Sequence, residues 1–482
     1  MLGGLLLAAC QQPDMTRWHR LDLEKDGLFG TSSERAYQEL LAGKAGQPVV
    51  VAVLDNGFDT THEALQPSLW VNEGEIPDNG IDDDGNGYVD DVHGWNFAGD
   101  KDSAYHYDNY DLTLMVRQER MLGQNSVAHQ ALEAELRKER QEAREKLEQA
   151  RKMKSTLDAI VAQLGTDDPT IEDFRSFQPK NAVENQIRSR LNANLKRMGY
   201  ADFYRDFIEK EIEKQVDALH YGYNLDYVPN RDIRVSGGDT TYWPGNTNLF
   251  GKDGEHGTHV AGIVANDSVH VMVVRLGYLG IRDEDIARGI RYAVDNGAKV
   301  ISMSFGKEKR SLNPTIVDAG VQYAMDHDVL LVQAVGNSDE DRDGENGVYY
   351  PSARYSNRGK AAAQWISVGA SGQYDDETLK ASFSNYGKTS VDVFAPGVSI
   401  YSATPGNAYA KHDGTSMAAP VVAGLAGLIR SHYPELTATQ VKEIIMESVT
   451  KSDRLAERCV SGGVVNTYNA LKLAEQMKNT DE

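Results

Sequence analysis

Six consecutive apolar residues, Val49-Val50-Val51-Ala52-Val53-Leu54, stand between polar stretches and end in Asp55-Asn56-Gly57. A run that short and uniform predicts a strand buried on both faces, as inside a parallel sheet. The signature returns after residue 256. Val269–Leu276 predicts a second strand, Asp285–Asn296 an amphipathic helix stopped by Gly297, Lys299–Phe305 a third strand and Val329–Val335 a fourth. Strands alternating with helices predict an α/β fold, a doubly wound parallel sheet in three α/β/α layers. Between the two regions the period changes. From Ser126 to Leu164 there is no Gly or Pro, and Leu132, Leu136, Ala143, Leu147, Ala150, Leu157, Ile160 and Leu164 form a broken apolar stripe at helical spacing. As one helix this stretch would reach about 58 Å at roughly 1.5 Å per residue. Gly165-Thr166-Asp167-Asp168-Pro169 stops it, and Asn181–Met198 with Tyr200–Leu219 predict helices that return along it. The organisation expected is a leader over 1–10, a linker over 11–48, an α/β domain in two pieces, 49–110 and 221–476, and an inserted α-helical arm over 111–220.

Candidate chemistry concentrates where these elements end. In His412-Asp413-Gly414-Thr415-Ser416-Met417-Ala418-Ala419-Pro420, a tight turn is followed by small residues that suit a helix in a crowded interior. Ser416 is thereby offered at a helix N-terminus, where unpaired N–H groups and the helix dipole favour negative charge. A serine nucleophile needs a base, and the base needs an orienting group. Asp55 sits at the carboxyl end of a strand, where open α/β sheets place their ligands. His256 opens the segment His256-Gly257-Thr258-His259-Val260-Ala261-Gly262, and Val335-Gly336-Asn337 closes another strand.

On these motifs the chain resembles the subtilisin-like serine proteases, the subtilase family. Gly414–Pro420 is similar to that family's nucleophile motif and His256–Gly262 to its base helix. Ala381–Gly387, Val393–Gly397 and Gly462–Asn466 extend the resemblance, which covers Val49–Phe97 and Arg231–Leu473. Asn56 departs from it, since relatives mostly carry Ser or Thr there. The resemblance implies a serine endopeptidase in which Ser416 attacks the peptide carbonyl, His256 carries the proton and Asp55 orients the imidazole. Asn337 and the Ser416 N–H would hold the oxyanion, and the backbone of Ser304, Phe305 and Gly306 would pair with an extended polypeptide substrate. Phe305 and Val335 suggest an apolar first pocket, and His259 reads as a core histidine.

Composition changes the picture in three places. Lys and Arg number 50 against 72 Asp and Glu, a net charge of −22, which disfavours nucleic acid as a partner. Asp82, Asp84 and Asn86, with Gly87 at the turn, the Tyr88 carbonyl and Asp90, follow the first nine positions of a Ca²⁺ loop. The twelfth position is His93 in place of Glu, and a solvated acidic turn is the alternative. Met1–Cys10 resembles a bacterial lipobox, implying cleavage before Cys10, acylation of Cys10 and attachment to a membrane as an exported envelope lipoprotein, at the outer membrane or cell surface. No basic residue precedes its apolar run, so an ordinary cleaved signal remains open. With Cys10 acylated, Cys459 would have no partner for an intramolecular disulfide. Two readings of the whole chain stand beside each other: an exported serine endopeptidase, and a non-enzymatic envelope protein that uses the arm as a binding module. The arm itself is either a decoration or an element that gates the cleft or binds a protein partner.

Overall fold

In the computed structural model, the strand Val49–Asp55 lies inside a nine-stranded sheet and is buried from Val51 onward. Its side chains alternate between two covered faces. Val51 and Val53 enter a cluster with Val422, Ala423 and Ala426 of the helix Thr415–His432. Leu54 points the other way, against Gly289 of the helix Asp283–Asp295. A strand covered on both faces has no polar side to show, hence the unbroken apolar run.

The structure describes residues 14–478, apart from 101–102, 124–125, 196–198, 230–244, 309, 345–346, 348 and 357–360. These fall into two compact units. One gathers the chain up to Ala104, Trp243–Tyr278 and the chain from Arg282 onward; the other is Tyr105–Tyr242 with Leu279–Ile281.

The first unit carries the sheet. From one edge to the other the strands run Thr450–Lys451, Gly463–Val464, Val393–Pro396, Trp365–Ser371, Leu330–Ala334, Ala298–Met303, Val49–Asp55, Val269–Arg275 and Gly94–Asn96. All neighbours are parallel except the first pair. Leu54 is level with Met303, and Met303 with Gln333, so the carboxyl ends of three adjacent strands finish at one edge. Asp55, Ser304–Gly306 and Asn337 therefore emerge side by side, although more than two hundred positions separate the first from the others.

The segment ahead of the first strand corrects the expected linker. Trp18 and Phe29 are fully buried, the Trp18 indole donates to the Val398 carbonyl oxygen at 3.1 Å, and Asn466 Nδ2 donates to Ser32 Oγ at 3.0 Å. Burying such side chains contributes about 1.5–3 kcal/mol each, so the segment is held as part of the unit. Cys459 is also fully buried, beside Phe29, Leu455 and Phe394. The lipobox with Cys10 lies outside the described residues, and no helix among the described residues is long and apolar enough to cross a membrane.

The second unit is helical. Its long helix is Val127–Leu164, 38 residues, with the Ser126 hydroxyl accepting from the His129 N–H at the start and Gly165 in the left-handed conformation at the end. The chain then returns antiparallel, Tyr204 donating to Asp158 and, further on, Tyr223 donating to Glu139. Leu157 and Ile160 pack with Phe174, Leu191, Phe203 and Ile208 in a core of the unit's own. The returning stretch differs from the expected pair of helices. It is Ala182–Asn194, then Tyr200–Tyr204 and Lys210–Asp217, each followed by a π-helical turn, Arg205–Glu209 and Ala218–Gly222. A wide turn rotates the residues after it around the axis, which keeps both Phe203 and Ile208 on the buried side.

Leu157 is fully buried where the returning helices cross the long one. Leu157→Ala is expected to destabilise this unit by about 2–5 kcal/mol. Hydrogen exchange on the full chain should show faster opening of amides in 150–210 and unchanged protection in the 49–55 strand.

Candidate active site

Asp55 ends its strand with its carboxylate 3% exposed. Its Oδ1 accepts from the Asn56 N–H at 2.7 Å and lies 2.8 Å from His256 Nδ1; its Oδ2 is buried without a hydrogen-bond partner among the described residues. His256 sits in the first turn of the helix Glu255–Val264. Two contacts fix that helix against the Asp55 turn. Thr258 Oγ1 accepts from the Asp59 N–H at 2.8 Å while donating to the Gly254 carbonyl. Gly257 comes so close that a Cβ there would lie 2.2 Å from the Gly57 carbonyl oxygen. The imidazole is thus positioned by backbone, and 35% of its side-chain surface remains accessible.

Burial is the largest single influence on His256 and opposes its charged form. The charge and hydrogen bond of Asp55, with smaller contributions from Asp253 and Glu255, together outweigh it, and the pKa is raised above the usual 6.5. His259, one turn along, differs in every respect. It is fully buried, stacked on His412 with ring centroids 4.1 Å apart, and its Nε2 lies 3.1 Å from the Ala410 carbonyl oxygen. Burial, then the neighbouring His412, hold its pKa well below the usual value. It is a neutral core residue.

Ser416 lies in the first turn of Thr415–His432, half-buried between the buried Thr415 and Met417. Its hydroxyl donates to the Ser304 carbonyl oxygen at 3.1 Å, and the Ser304 hydroxyl donates to the Ser416 carbonyl oxygen at 2.8 Å. Among the described residues no hydrogen bond joins Ser416 to His256. Asn337 is exposed, and its Oδ1 is engaged by both the N–H (2.9 Å) and the hydroxyl (3.0 Å) of Thr415. With the oxygen so occupied, its Nδ2 faces the turn at Gly414, 3.7 Å from where a Cβ on Gly414 would stand. The amide orientation is therefore dictated by Thr415, a residue whose part no sequence pattern announced. Val335, expected beside a first pocket, is buried in the cluster of Phe29, Leu379 and Val391.

A protein-family model described as the subtilase family matches residues 46–463. The chain belongs to the subtilase family. It is 34% identical over 254 residues to alkaline elastase YaB of Bacillus sp. (strain YaB), covering 50% of this chain and 61% of that one. It is 36% identical over 233 residues to subtilisin DY of Bacillus licheniformis, covering 45% of this chain and 78% of that one. A solved protease of Pseudoalteromonas arctica PAMC 21717 aligns over 96% of this chain and 100% of that chain, at 18% identity and a TM-score of 0.49.

The subtilase's acidic loop folds around a residue that the sequence reading passed over. Carboxylate oxygens of Glu75, Asp82 and Asp84 lie within 4.8 Å of one another. Glu75 also organises the loop, accepting from the N–H groups of Asp83, Asp84 and Asp90. Asp82 and Asp84 are thus gathered as expected. Asp90 is not: its carboxylate accepts from the N–H groups of Asn79 and Gly80. Asn86 turns its Oδ1 to the Tyr88 N–H, and the Tyr88 ring packs edge-on against Trp95 and Tyr292. Three hard carboxylate donors this close fit a Ca²⁺ ion by charge and by ligand type. Glu75 lies seven positions before Asp82, outside any loop spacing that would mark it.

The electrostatics of His256 give a titration test. NMR of the imidazole should show an apparent pKa above 6.5, and Asp253→Asn with Glu255→Gln should lower it, because removing two nearby negative charges favours the neutral ring. Asp55→Asn should lower it further. A pKa at or below 6.5 in the unmodified chain would contradict the charge assignment.

Proposed function

We propose that this subtilase is a serine endopeptidase acting on polypeptides through Asp55, His256 and Ser416. The observation that carries the reading is the 2.8 Å contact between Asp55 and His256 at a sheet edge shared with Asn337 and Ser304, with Ser416 hydrogen-bonded to Ser304. In the reaction the Ser416 hydroxyl leaves the Ser304 carbonyl by rotation about its Cα–Cβ bond and gives its proton to His256 Nε2. Its oxygen attacks the substrate carbonyl, and His256 returns the proton to the leaving amine. Asp55 holds Nδ1 protonated and stabilises the imidazolium. Asn337 Nδ2 and the Ser416 N–H receive the oxyanion. Hydrolysis of the acyl-enzyme by water, through the same base, completes the cycle. The chain spans 61% of alkaline elastase YaB, so the activity is inferred from this chain's own residues as much as from its relatives.

Around this core we assign three further features. Calcium, held by Glu75, Asp82 and Asp84, neutralises their mutual repulsion and stiffens the loop. Cys10 is acylated and ties the protein to a membrane of the bacterial envelope. The helices of residues 111–220 govern which substrates reach the cleft or bind a protein partner.

A fluorophosphonate probe tests the central assignment. It should label the purified protein, fail to label Ser416→Ala, and label more slowly after calcium is chelated. Asn337→Ala should slow peptide hydrolysis by about 10²–10³-fold, the size known for one such donor in subtilisin itself. Well-folded protein that resists the probe would favour the binding-module reading. The role of the helices is tested by replacing 112–219 with a short linker. Peptide hydrolysis should persist while selectivity among folded protein substrates changes, and unchanged selectivity would reduce the helices to decoration.

A further inference from the structure

Two glycines border the ground where a substrate side chain would lie. Gly306 ends the segment Ser304–Gly306, whose first carbonyl receives the Ser416 hydroxyl, and Gly336 immediately precedes Asn337. With a substrate carbonyl carbon at Ser416 and its oxygen at Asn337, the side chain on the acyl side of the scissile bond must pass between these two stretches of backbone. That slot is filled from within the chain. The ring of Tyr349 stands so near that a Cβ on Gly306 would lie 1.9 Å from Cε1, and a Cβ on Gly336 would lie 3.2 Å from Cε2. Gly336 also has φ +100°, a conformation that side-chain-bearing residues rarely adopt, so the wall facing the ring is bare backbone for two reasons.

Tyr349 is held there by its surroundings. Tyr349–Tyr350 pairs antiparallel with Lys307–Glu308, which ties the backbone of the tyrosine to the residues just past Gly306. The Arg342 guanidinium lies 4.6 Å from the ring centroid. Its side chain is 4% exposed; it has an ion pair with Glu340 at 3.7 Å, and both terminal nitrogens lack a hydrogen-bond partner among the described residues. A buried guanidinium in that state is costly, and the cation–π contact with Tyr349 offsets part of that cost beside the long ion pair. Swinging the ring out of the slot would strip that contact from Arg342. Burial pushes the Tyr349 phenol above its usual pKa, so the group in the slot is a neutral ring.

We infer that Tyr349 is a specificity-determining residue that closes the first pocket, so that the enzyme cleaves after glycine, alanine or serine and rejects phenylalanine and leucine. This rests on the peptidase reading of Ser416. Glycine, alanine and serine bring at most two side-chain heavy atoms to the slot, whereas an aromatic substrate side chain would have to occupy the volume the ring already holds.

The test compares kcat/KM for peptide p-nitroanilides that differ only in the last residue, alanine or phenylalanine, with fluorophosphonate labelling of each protein as the measure of an intact centre. The unmodified chain should prefer alanine by at least about tenfold, the least that one misplaced group in a closed pocket brings. Tyr349→Gly should move the phenylalanine-to-alanine ratio upward by at least about tenfold, and Tyr349→Phe, which keeps the ring, should keep the original ratio. Labelled protein that accepts phenylalanine as readily as alanine before any substitution overturns the pocket assignment alone, whether or not Tyr349→Gly folds. A labelled Tyr349→Gly with an unmoved ratio overturns it as well. Unmodified protein that neither labels nor hydrolyses either peptide overturns the peptidase reading, and the pocket assignment falls with it.

Discussion

A carboxylate taken out of water must find its solvation in the protein, and Asp55 finds it in two N–H groups. One belongs to the next residue in the chain and the other to an imidazole. The second oxygen has no hydrogen-bond partner among the described residues, so the arrangement is tolerable only if the partner on the first can carry positive charge. His256 does so, with its pKa raised. Everything that keeps the two at 2.8 Å therefore bears on that charge balance: the strand that ends at Asp55, the Thr258 hydroxyl that bridges the turn to the helix, and the bare Gly257 that lets the helix come close. A methyl group on Gly257 would meet the Gly57 carbonyl before it met any side chain, and would push His256 away from Asp55.

The sheet supplies the rest of the edge at little extra cost. Parallel strands bring equivalent ends together, so neighbours in space can be far apart in sequence without any long-range design beyond strand order. Thr415 illustrates how the edge is locked. It fixes the Asn337 amide with two hydrogen bonds, from its N–H and its hydroxyl, and receives the Gly336 N–H on that hydroxyl, so the residue before Ser416 orients the Asn337 amide and the glycine turn together. Thr415 is in that sense a positioning residue for its surroundings, and a change there would alter the direction of the Asn337 amide before it altered Ser416.

Much of this was legible in the chain because burial on two faces leaves a plain signature. The runs at Val49, Val269, Lys299 and Val329 became strands within one or two residues of their expected bounds. The long helix was equally plain, since Ser126 and Gly165 mark its ends by local chemistry. What stayed hidden depends on tertiary placement. Trp18 and Phe29 sit in a stretch too polar to look like core, Glu75 joins Asp82 and Asp84 from outside any loop pattern, and Tyr349 reaches Gly306 from more than forty positions away. The π-helical turns were hidden for a related reason: they correct a phase mismatch that exists only once the helices lie against a partner.

Two of the residues that the sequence concealed share a property. Glu75 and Tyr349 each place a side chain where a foreign group would otherwise go, a carboxylate in a ring of carboxylates and an aromatic ring between two glycines. In the first case like charges converge, and the cluster invites an opposite charge from outside the chain. In the second the occupant is neutral and fitted, and the slot turns a visitor away. A fold that leaves one concavity unfinished and completes another has decided which contacts it will take from its surroundings and which it will make for itself. For the peptidase we propose, the second choice matters more, because a side chain already in the pocket excludes substrates by volume, and exclusion by volume discriminates without any attractive contact having to be tuned.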